Sequence, residues 1–485
     1  MNNIEVLLVN PSTVTHVPDY ARTGNIFNPE HKVQKSFNPG LLSIASFLAS
    51  HGIEVKILDL LEEQDTAKLE EHLGANMPTV VGISCFSGWS YPNALKVAEV
   101  VKRYYPKTLV VAGGAHIAPL EERVFADTRN IDMLVLHEGE STTLEIVRRI
   151  EHLQPIEGMP GTISRGKDSS LAVNRQRVAR ININDLPLTR WDIYPGADRF
   201  IPYVEESRGC YGSGNSACTF CMSQYQYNGK INLRTPETFQ RELDNAFNHF
   251  GNRNMYAILA STFGANPRYA VEMIRAMGQK QVQWTTEIRV DVPWESYLEL
   301  AAQNGLSVLN ASPESASPDI LLRMNKTRNP ERYLKKSTDL ITMSAGIDDF
   351  ILKLNFLFYA GETSETLKET LGYMMGLAEH IKSVSCAPLM VYPGTATERN
   401  LGAYNQRFGT STIQDPFWSS MRIYPCHLSS SLGFSEVSAF CSVLDKMFNA
   451  PQTWGRTMSY KYGTEGNQEQ TQQTLLAAKF GRRQV

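Results

Sequence analysis

Two tracts of alternating strand and helix patterns limit what this chain can fold into. In the first tract, short aliphatic runs fall at Ile4 to Val9, Glu54 to Leu58, Thr79 to Ser84, Thr108 to Ala112 and Met133 to Leu136. Runs this short, closed by Asn10-Pro11, Asp59 or Gly113-Gly114, suit buried strands. Helical patterns lie between them, at Gly40 to Ser50 with Gly52 as a cap, at Tyr91 to Tyr104 and from Ser141 onward. Aliphatic strands that alternate with helices predict a parallel, doubly wound α/β sheet. Ligands of such sheets gather outside the C-terminal ends of the strands.

The alternation breaks near residue 156. Gly158, Pro160, Gly161 and Gly166, with Lys167-Asp168-Ser169-Ser170, suggest a hairpin followed by an extended linker to residue 200. It resumes at Ile201 and runs to about Pro393. Candidate strands are Tyr256 to Leu259, Val282 to Thr286, Ser307 to Asn310, Ile351 to Phe358 and Ser383 to Pro388, with helices such as Pro236 to Phe250 and Pro293 to Gln303 between them. This second tract predicts a full or partial (β/α) barrel. Beyond Gly394 the regularity fades into an aromatic-rich stretch, Asp415 to Trp454, expected to pack as a small cap. Trp418, Tyr424 and Trp454 are candidate substrate contacts there, with plain core packing as the alternative. The Gln-rich last twenty or so residues are expected to fray. The division is therefore 1–155, 156–200, 201–400 and 401–485.

Over 485 residues the formal net charge is −3. That gives no broad pull toward nucleic acid or anionic membrane. The first residues lack a basic-then-apolar leader pattern. The most apolar window, Phe350 to Gly361, is short and contains Lys353, so no transmembrane helix is expected. A cytoplasmic protein is inferred.

The seven cysteines are Cys85, Cys210, Cys218, Cys221, Cys386, Cys426 and Cys441. Four are scattered, and in a reducing compartment the clustered three read as ligands rather than disulfide partners. Three thiolates in a loop after a strand can hold three irons of a [4Fe–4S] cluster, leaving the fourth iron open to bind substrate and deliver an electron. The alternative is zinc, which usually takes four Cys or His ligands. The nearest following candidate is His249, so zinc would need a distant fourth donor.

Ser207-Arg208-Gly209-Cys210, followed by Cys218-Thr219-Phe220-Cys221, resembles the radical SAM signature, C-x3-C-x-aromatic-C. In this chain seven residues, Tyr211 to Ala217, separate the first two cysteines. They are small and flexible enough to bulge and leave three sulfurs in place. Trp284 to Asp291 resembles the family's strand with a Glu/Arg/Asp pattern, carrying Glu287, Arg289 and Asp291. Pro313 to Ser317 with Leu321 to Lys326, Gly361-Glu362-Thr363 and Tyr392 to Thr395 resemble later family elements, in the family's order. The resemblance implies catalytic metal ligands Cys210, Cys218 and Cys221, and S-adenosylmethionine (SAM) beside Phe220, Arg289 and Glu314. Where many relatives carry acidic residues, this chain has Ala260-Ser261-Thr262-Phe263, so contacts near Ser261 are expected to be rearranged. On residues alone, Arg289 and Glu287 could instead form a structural ion pair.

The first domain resembles the B12-binding domain that precedes many radical SAM barrels. Asn38 to Leu42, Gly52 to Val55, Gly113-Gly114-Ala115-His116 and His137-Glu138-Gly139-Glu140 carry that resemblance. It implies cobalamin near Ser84, Gly113, Gly114 and Gly139. The D-x-H-x-x-G signature of a lower-face histidine is absent, and His116 reads as a polar residue at the Gly-Gly turn. The implied activity is a transferase that uses a [4Fe–4S] cluster, SAM and cobalamin to methylate a small molecule or peptide. An electron donor such as flavodoxin or ferredoxin is the implied partner. Two alternatives stay open. One is transfer of a 3-amino-3-carboxypropyl group to an acceptor such as trivalent arsenic, held by Cys386, Cys426 or Cys441. The other is a non-catalytic cobalamin- or metal-binding regulator.

Overall fold

The computed structural model describes residues 4–14, 37–63, 65–166, 168–210, 217–227 and 230–449, and element counts are over those residues. Most of the Tyr211-to-Ala217 insertion, Trp454 and the Gln-rich tail lie outside them.

The first domain runs β1 (Glu5–Asn10), α1 (Pro39–Ser50), β2 (Glu54–Asp59), α2 (Ala67–Ala75), β3 (Val80–Ser84), α3 (Tyr91–Tyr104), β4 (Leu109–Gly113), α4 (Arg123–Asp127), β5 (Met133–Val135) and α5 (Glu140–Glu151). Alternate side chains of one strand feed two cores, as the pleat requires. Val6 and Leu8 pack toward α1 with Leu41, Leu42 and Ala45. Leu7 and Val9 pack toward α3 with Val97 and Val101. Burial on both faces is why these strands read as continuous apolar runs. The parallel order β2-β1-β3-β4-β5 puts β1 and β3 side by side. Register sets Ser84 opposite Gly113, and Gly113 opposite Val135, so three strand ends share one rim.

The sheet extends past residue 155. A hairpin, β6 (Thr162–Arg165) and β7 (Leu171–Asn174), adds to it antiparallel beyond β5. Nor is the next stretch a loose linker. Trp191, Tyr194 and Phe200 are buried and surround Phe37 at ring separations of 5.2, 5.0 and 4.9 Å. This aromatic knot joins the first domain to the second.

The second domain comprises β8 (Tyr203–Glu205), β9 (Ser207–Arg208), α6 (Ser223–Tyr227), β10 (Asn232–Leu233), α7 (Pro236–Phe250), β11 (Tyr256–Leu259), α8 (Pro267–Lys280), β12 (Trp284–Ile288), α9 (Leu298–Gln303), β13 (Leu306–Glu314), α10 (Pro318–Arg323), α11 (Pro330–Ala345), β14 (Ile351–Phe358), α12 (Ser364–Gly376) and β15 (Ser383–Pro388). Six parallel strands in the order β15-β14-β13-β12-β11-β8 form a partial barrel. A cap follows: β16 (Met390–Val391), α13 (Ala396–Phe408), β17 (Ser411–Thr412), α14 (Pro416–Met421), β18 (Tyr424–His427) and α15 (Phe434–Phe448). Asp445 on α15 accepts the Cys386 backbone N–H at 2.9 Å, fastening the cap to the edge strand β15.

Candidate active site between the two sheets

The cysteine segment sits at the C-terminal end of the first barrel strand. Gly209 turns the chain there at φ +100°, where a β-carbon would lie 2.5 Å from the Lys230 carbonyl oxygen. Cys221 N–H donates to the Cys218 carbonyl at 3.1 Å, and Thr219 N–H to the Met324 carbonyl at 2.9 Å. Thr219 and Tyr359 hydroxyls lie 2.8 Å apart, and Phe220 meets the Tyr359 ring edge-on at 6.3 Å. The Cys218–Cys221 turn is thus pinned from both sides. Burial pushes the Cys221 thiol up to about 11, and Cys218 and Cys210 push the same way, which makes the three sulfurs electrostatic neighbours. Among the described residues, no three Cys, His, Asp or Glu side chains converge on a single metal ion.

Conserving charge around that turn falls to four residues. Arg289 follows β12 and donates to both Asp291 carboxylate oxygens at 2.9 and 2.8 Å, to the Lys326 carbonyl at 2.7 Å and to Cys218 Sγ at 3.5 Å. Burial works against its charge, but the Asp291 carboxylate and the Cys218 sulfur hold its pKa up. The ion-pair partner of Arg289 is therefore Asp291. Glu287, which the sequence offered for that role, is exposed and faces a cavity. Glu314 ends β13 at φ +68°, a backbone region that costs a non-glycine residue energy and concentrates at functional sites. Its carboxylate accepts from Lys326 Nζ at 2.9 Å. Both side chains are nearly buried, at 11% and 5% exposure. Burial disfavours the Lys326 ammonium, yet Glu314, Tyr333 and Cys218 together more than offset that and raise its pKa. Asp291 and Lys326 were visible only as members of quoted motifs, and the structure gives them partners.

A cavity of about 1210 Å³ opens between the two sheets. Ser84, Gly113, Gly114, His137 and Gly139 line it from the first domain; Ser261, Glu287, Tyr225 and Tyr227 line it from the second. Part of it is a slot between the sheet and α1, walled by Val6, Leu8, Val111 and Ile44. Glycines let the chain pack closely around this space. A β-carbon on Gly82 would lie 2.7 Å from Leu8 Cδ2, one on Gly139 2.7 Å from Ile44 Cδ1, and one on Gly114 2.7 Å from the Cys85 carbonyl oxygen. An ordinary drug-sized ligand occupies less than this volume. The void, with its apolar slot and glycine rim, fits a large ring that carries a planar tail. Ser84, Gly113, Gly114, Gly139 and Ser261 thus share one cavity. Phe220, Arg289, Glu314 and the three cysteines gather at the barrel strand ends, outside the cavity wall.

Other sequence candidates lie elsewhere. Trp418 is 2% exposed and packs on Trp89 and Phe417 at 5.8 and 5.0 Å, so it belongs to the core of the cap. Its burial among Met421, Ile423 and Phe434 is the reason. Tyr424 begins the cap strand β18. His116 donates its backbone N–H to the Cys85 carbonyl, and its ring meets the Met421 carbonyl at 2.9 Å. Burial lowers its pKa to about 4. Cys386, Cys426 and Cys441 are buried in the barrel–cap core rather than in the cavity wall.

Known proteins match the chain in both domains. The B12 binding domain family matches residues 33–147, and the Radical SAM superfamily matches residues 207–374. This chain is a radical SAM enzyme with a B12-binding domain. It is similar to an uncharacterised methyltransferase of Pyrococcus horikoshii, at 26% identity over 369 residues, covering 73% of this chain and 76% of that one. Its fold matches the radical SAM methyltransferase TsrM from Kitasatospora setae, solved with cobalamin and a [4Fe–4S] cluster, with TM-score 0.70 and 16% identity over 94% and 90% of the chains. It also matches the cobalamin-dependent radical enzyme OxsB, solved with aqua-cobalamin and SAM, with TM-score 0.74 and 15% identity over 99% and 71% of the chains. With these two domains the chain is a transferase, and the relative from Pyrococcus horikoshii and TsrM are methyltransferases. The radical SAM domain implies a [4Fe–4S] cluster and SAM, and the B12-binding domain implies cobalamin. No helix among the described residues is long and apolar enough to cross a membrane.

Proposed function

We propose that this enzyme methylates a small molecule or peptide, with Cys210, Cys218 and Cys221 holding a [4Fe–4S] cluster and the inter-sheet cavity holding cobalamin. When bound, the cluster supplies an electron, SAM the methyl group and radical, and cobalamin a methyl carrier. The observation that carries this reading is the cavity itself. Its walls come from the strand ends of both sheets, beside the cysteine turn.

The chain's own residues have distinct tasks. Gly82, Gly113, Gly114 and Gly139 line the cavity that would take the ring and tail. Arg289 neutralises thiolate charge at Cys218 and is itself held in a fork by Asp291. Phe220 and Thr219, locked against Tyr359, fix the turn between two ligands. Glu314, strained and held by Lys326, presents a carboxylate at the barrel mouth for the SAM amino acid portion. Contacts at Ser261 replace the acidic ones common in similar chains. Together these groups orient the cofactors and keep water out.

The test is anaerobic reconstitution with iron, sulfide, SAM and hydroxocobalamin, followed by mass spectrometry of the SAM fragments. Reductant-dependent 5′-deoxyadenosine is expected. Methylthioadenosine as the main fragment would instead mean that the 3-amino-3-carboxypropyl group leaves, and would overturn the methyl-transfer reading.

A further inference from the structure

Arg208, two residues before Cys210, is 9% exposed and uses all five of its N–H donors. Nε and Nη2 grip the two oxygens of Glu205, at the end of the preceding barrel strand β8, at 2.9 and 3.1 Å. The remaining donors cross to the other domain. Nη1 reaches Glu140 Oε1 at 2.7 Å and Glu138 Oε1 at 3.2 Å, and Nη2 reaches Ser43 Oγ at 2.9 Å. Ser43 in turn donates to Glu140 at 2.6 Å. Arg180 adds a bond to Glu138 at 2.5 Å and one to the Lys230 carbonyl at 2.7 Å, and Lys230 is the residue whose carbonyl abuts Gly209.

Glu138 and Glu140 flank Gly139, and all three line the cavity. One guanidinium therefore connects the cavity wall to the strand that leads into the cysteines. The far side of the cysteine segment is tied to the first domain as well. Tyr225, on the helix after Cys221, donates its hydroxyl to the Ala118 carbonyl at 3.0 Å, just past the Gly113-Gly114 turn. Arg177 holds the Tyr225 and Gln226 carbonyls at 2.5 and 3.3 Å. Arg208 and Glu140 are both buried and neutralise one another as an ion pair at 2.7 Å. Removing one partner from such a cluster leaves a buried charge uncompensated.

We propose that Arg208 is a positioning residue: it fixes the cysteine segment to the Glu138-Gly139-Glu140 corner and thereby sets how far the iron–sulfur cluster stands from cobalamin. The inference rests on the functional reading above. It also explains how the chain tolerates seven residues between Cys210 and Cys218. Both ends of the segment are anchored to the first domain, so extra length between the anchors need not move either end.

The experiment is pulsed EPR on reconstituted holoenzyme, with cobalamin as cob(II)alamin and the cluster reduced, so that the two unpaired spins report their separation. Wild type is compared with Arg208→Lys, Glu140→Gln and Ser43→Ala, and with Arg148→Ala, which removes an exposed ion pair to Glu151. Lysine keeps the charge of Arg208 but not the fork that serves four partners. Iron and cobalamin contents of the latch variants are expected to match wild type. The spin–spin distance distribution is expected to broaden and shift. SAM turnover is expected to fall by about a hundredfold for a displacement near 1 Å. Glu140→Gln and Ser43→Ala keep the test open if Arg208→Lys does not fold. A wild-type distance distribution in the folded latch variants overturns the proposal, as does equal broadening in Arg148→Ala. Failure of wild type to bind either cofactor would overturn the functional reading, and this inference with it.

Discussion

Replacing Lys326 with methionine isolates the energetics of the barrel mouth. The Glu314 carboxylate would then sit at the end of β13 with 11% of its side chain exposed and no cation at 2.9 Å. Breaking a buried pair by removing one partner costs about 3–5 kcal/mol, because the remaining charge keeps its desolvation penalty. For a domain of this barrel's size that is roughly a 6–20 °C fall in melting temperature. Adding Glu314→Gln should recover much of the loss, since the double variant buries no lone charge. Thermal melts of the apoprotein at pH 7.5, for both single variants and the double, provide the cycle. A Lys326→Met loss below about 1 kcal/mol would refute the reasoning, since that is the range of an exposed pair. So would a double variant as unstable as the single.

Three more outcomes follow from the geometry. Gly114→Ala forces alanine to φ +111° and drives its β-carbon to 2.7 Å from the Cys85 carbonyl oxygen; about 1–3 kcal/mol of stability and most of the cobalamin affinity should be lost, read by melts and by cobalamin absorbance titration. Trp418→Ala should cost about 3–5 kcal/mol by emptying the cap core, while SAM fragmentation per folded enzyme stays near wild type. The Glu206 carboxyl, 1% exposed with Oε2 unpartnered, is pushed up to about 7 by burial. The folded chain then holds a proton that the unfolded chain releases near 4.5, so this group's contribution is full below that pH and is lost as pH rises to about 7. Glu206→Gln should remove on the order of 3 kcal/mol of that pH dependence, measured as the difference in stability between pH 4.5 and 8.

Much of the fold was legible because its signals are local. Strand β14 spans Ile351–Phe358 and helix α7 spans Pro236–Phe250, the limits the apolar runs and caps suggested. β13 ran longer than expected, to Glu314, because Pro313 and Glu314 are buried without carrying an apolar strand signal. The Gly-rich hairpin gave no hint that it would extend the first sheet; that depends on the free edge of β5, a tertiary fact. The cysteine trio, Arg289 and Glu314 came from spacing and resemblance, and the structure gathers them at one end of the barrel. Their partners were not readable. Arg208 with Glu138 and Glu140, or Lys326 with Glu314, are pairings across 68 to 70 and 12 residues, and nothing in a single charge reveals which opposite charge it will meet. Trp418 misled for a related reason, since an aromatic residue looks alike in a binding site and in a core until its burial is known.

The most direct test is iron and sulfide analysis, with visible and EPR spectra, of anaerobically reconstituted wild type, Cys210→Ala, Cys218→Ala and Cys221→Ala. Wild type should carry one [4Fe–4S] cluster whose reduced EPR signal changes when SAM is added, and each variant should lose both the cluster and that response. A Cys218→Ala or Cys221→Ala protein that retains the intact cluster and its SAM-dependent spectrum would contradict the assignment of the three thiolates.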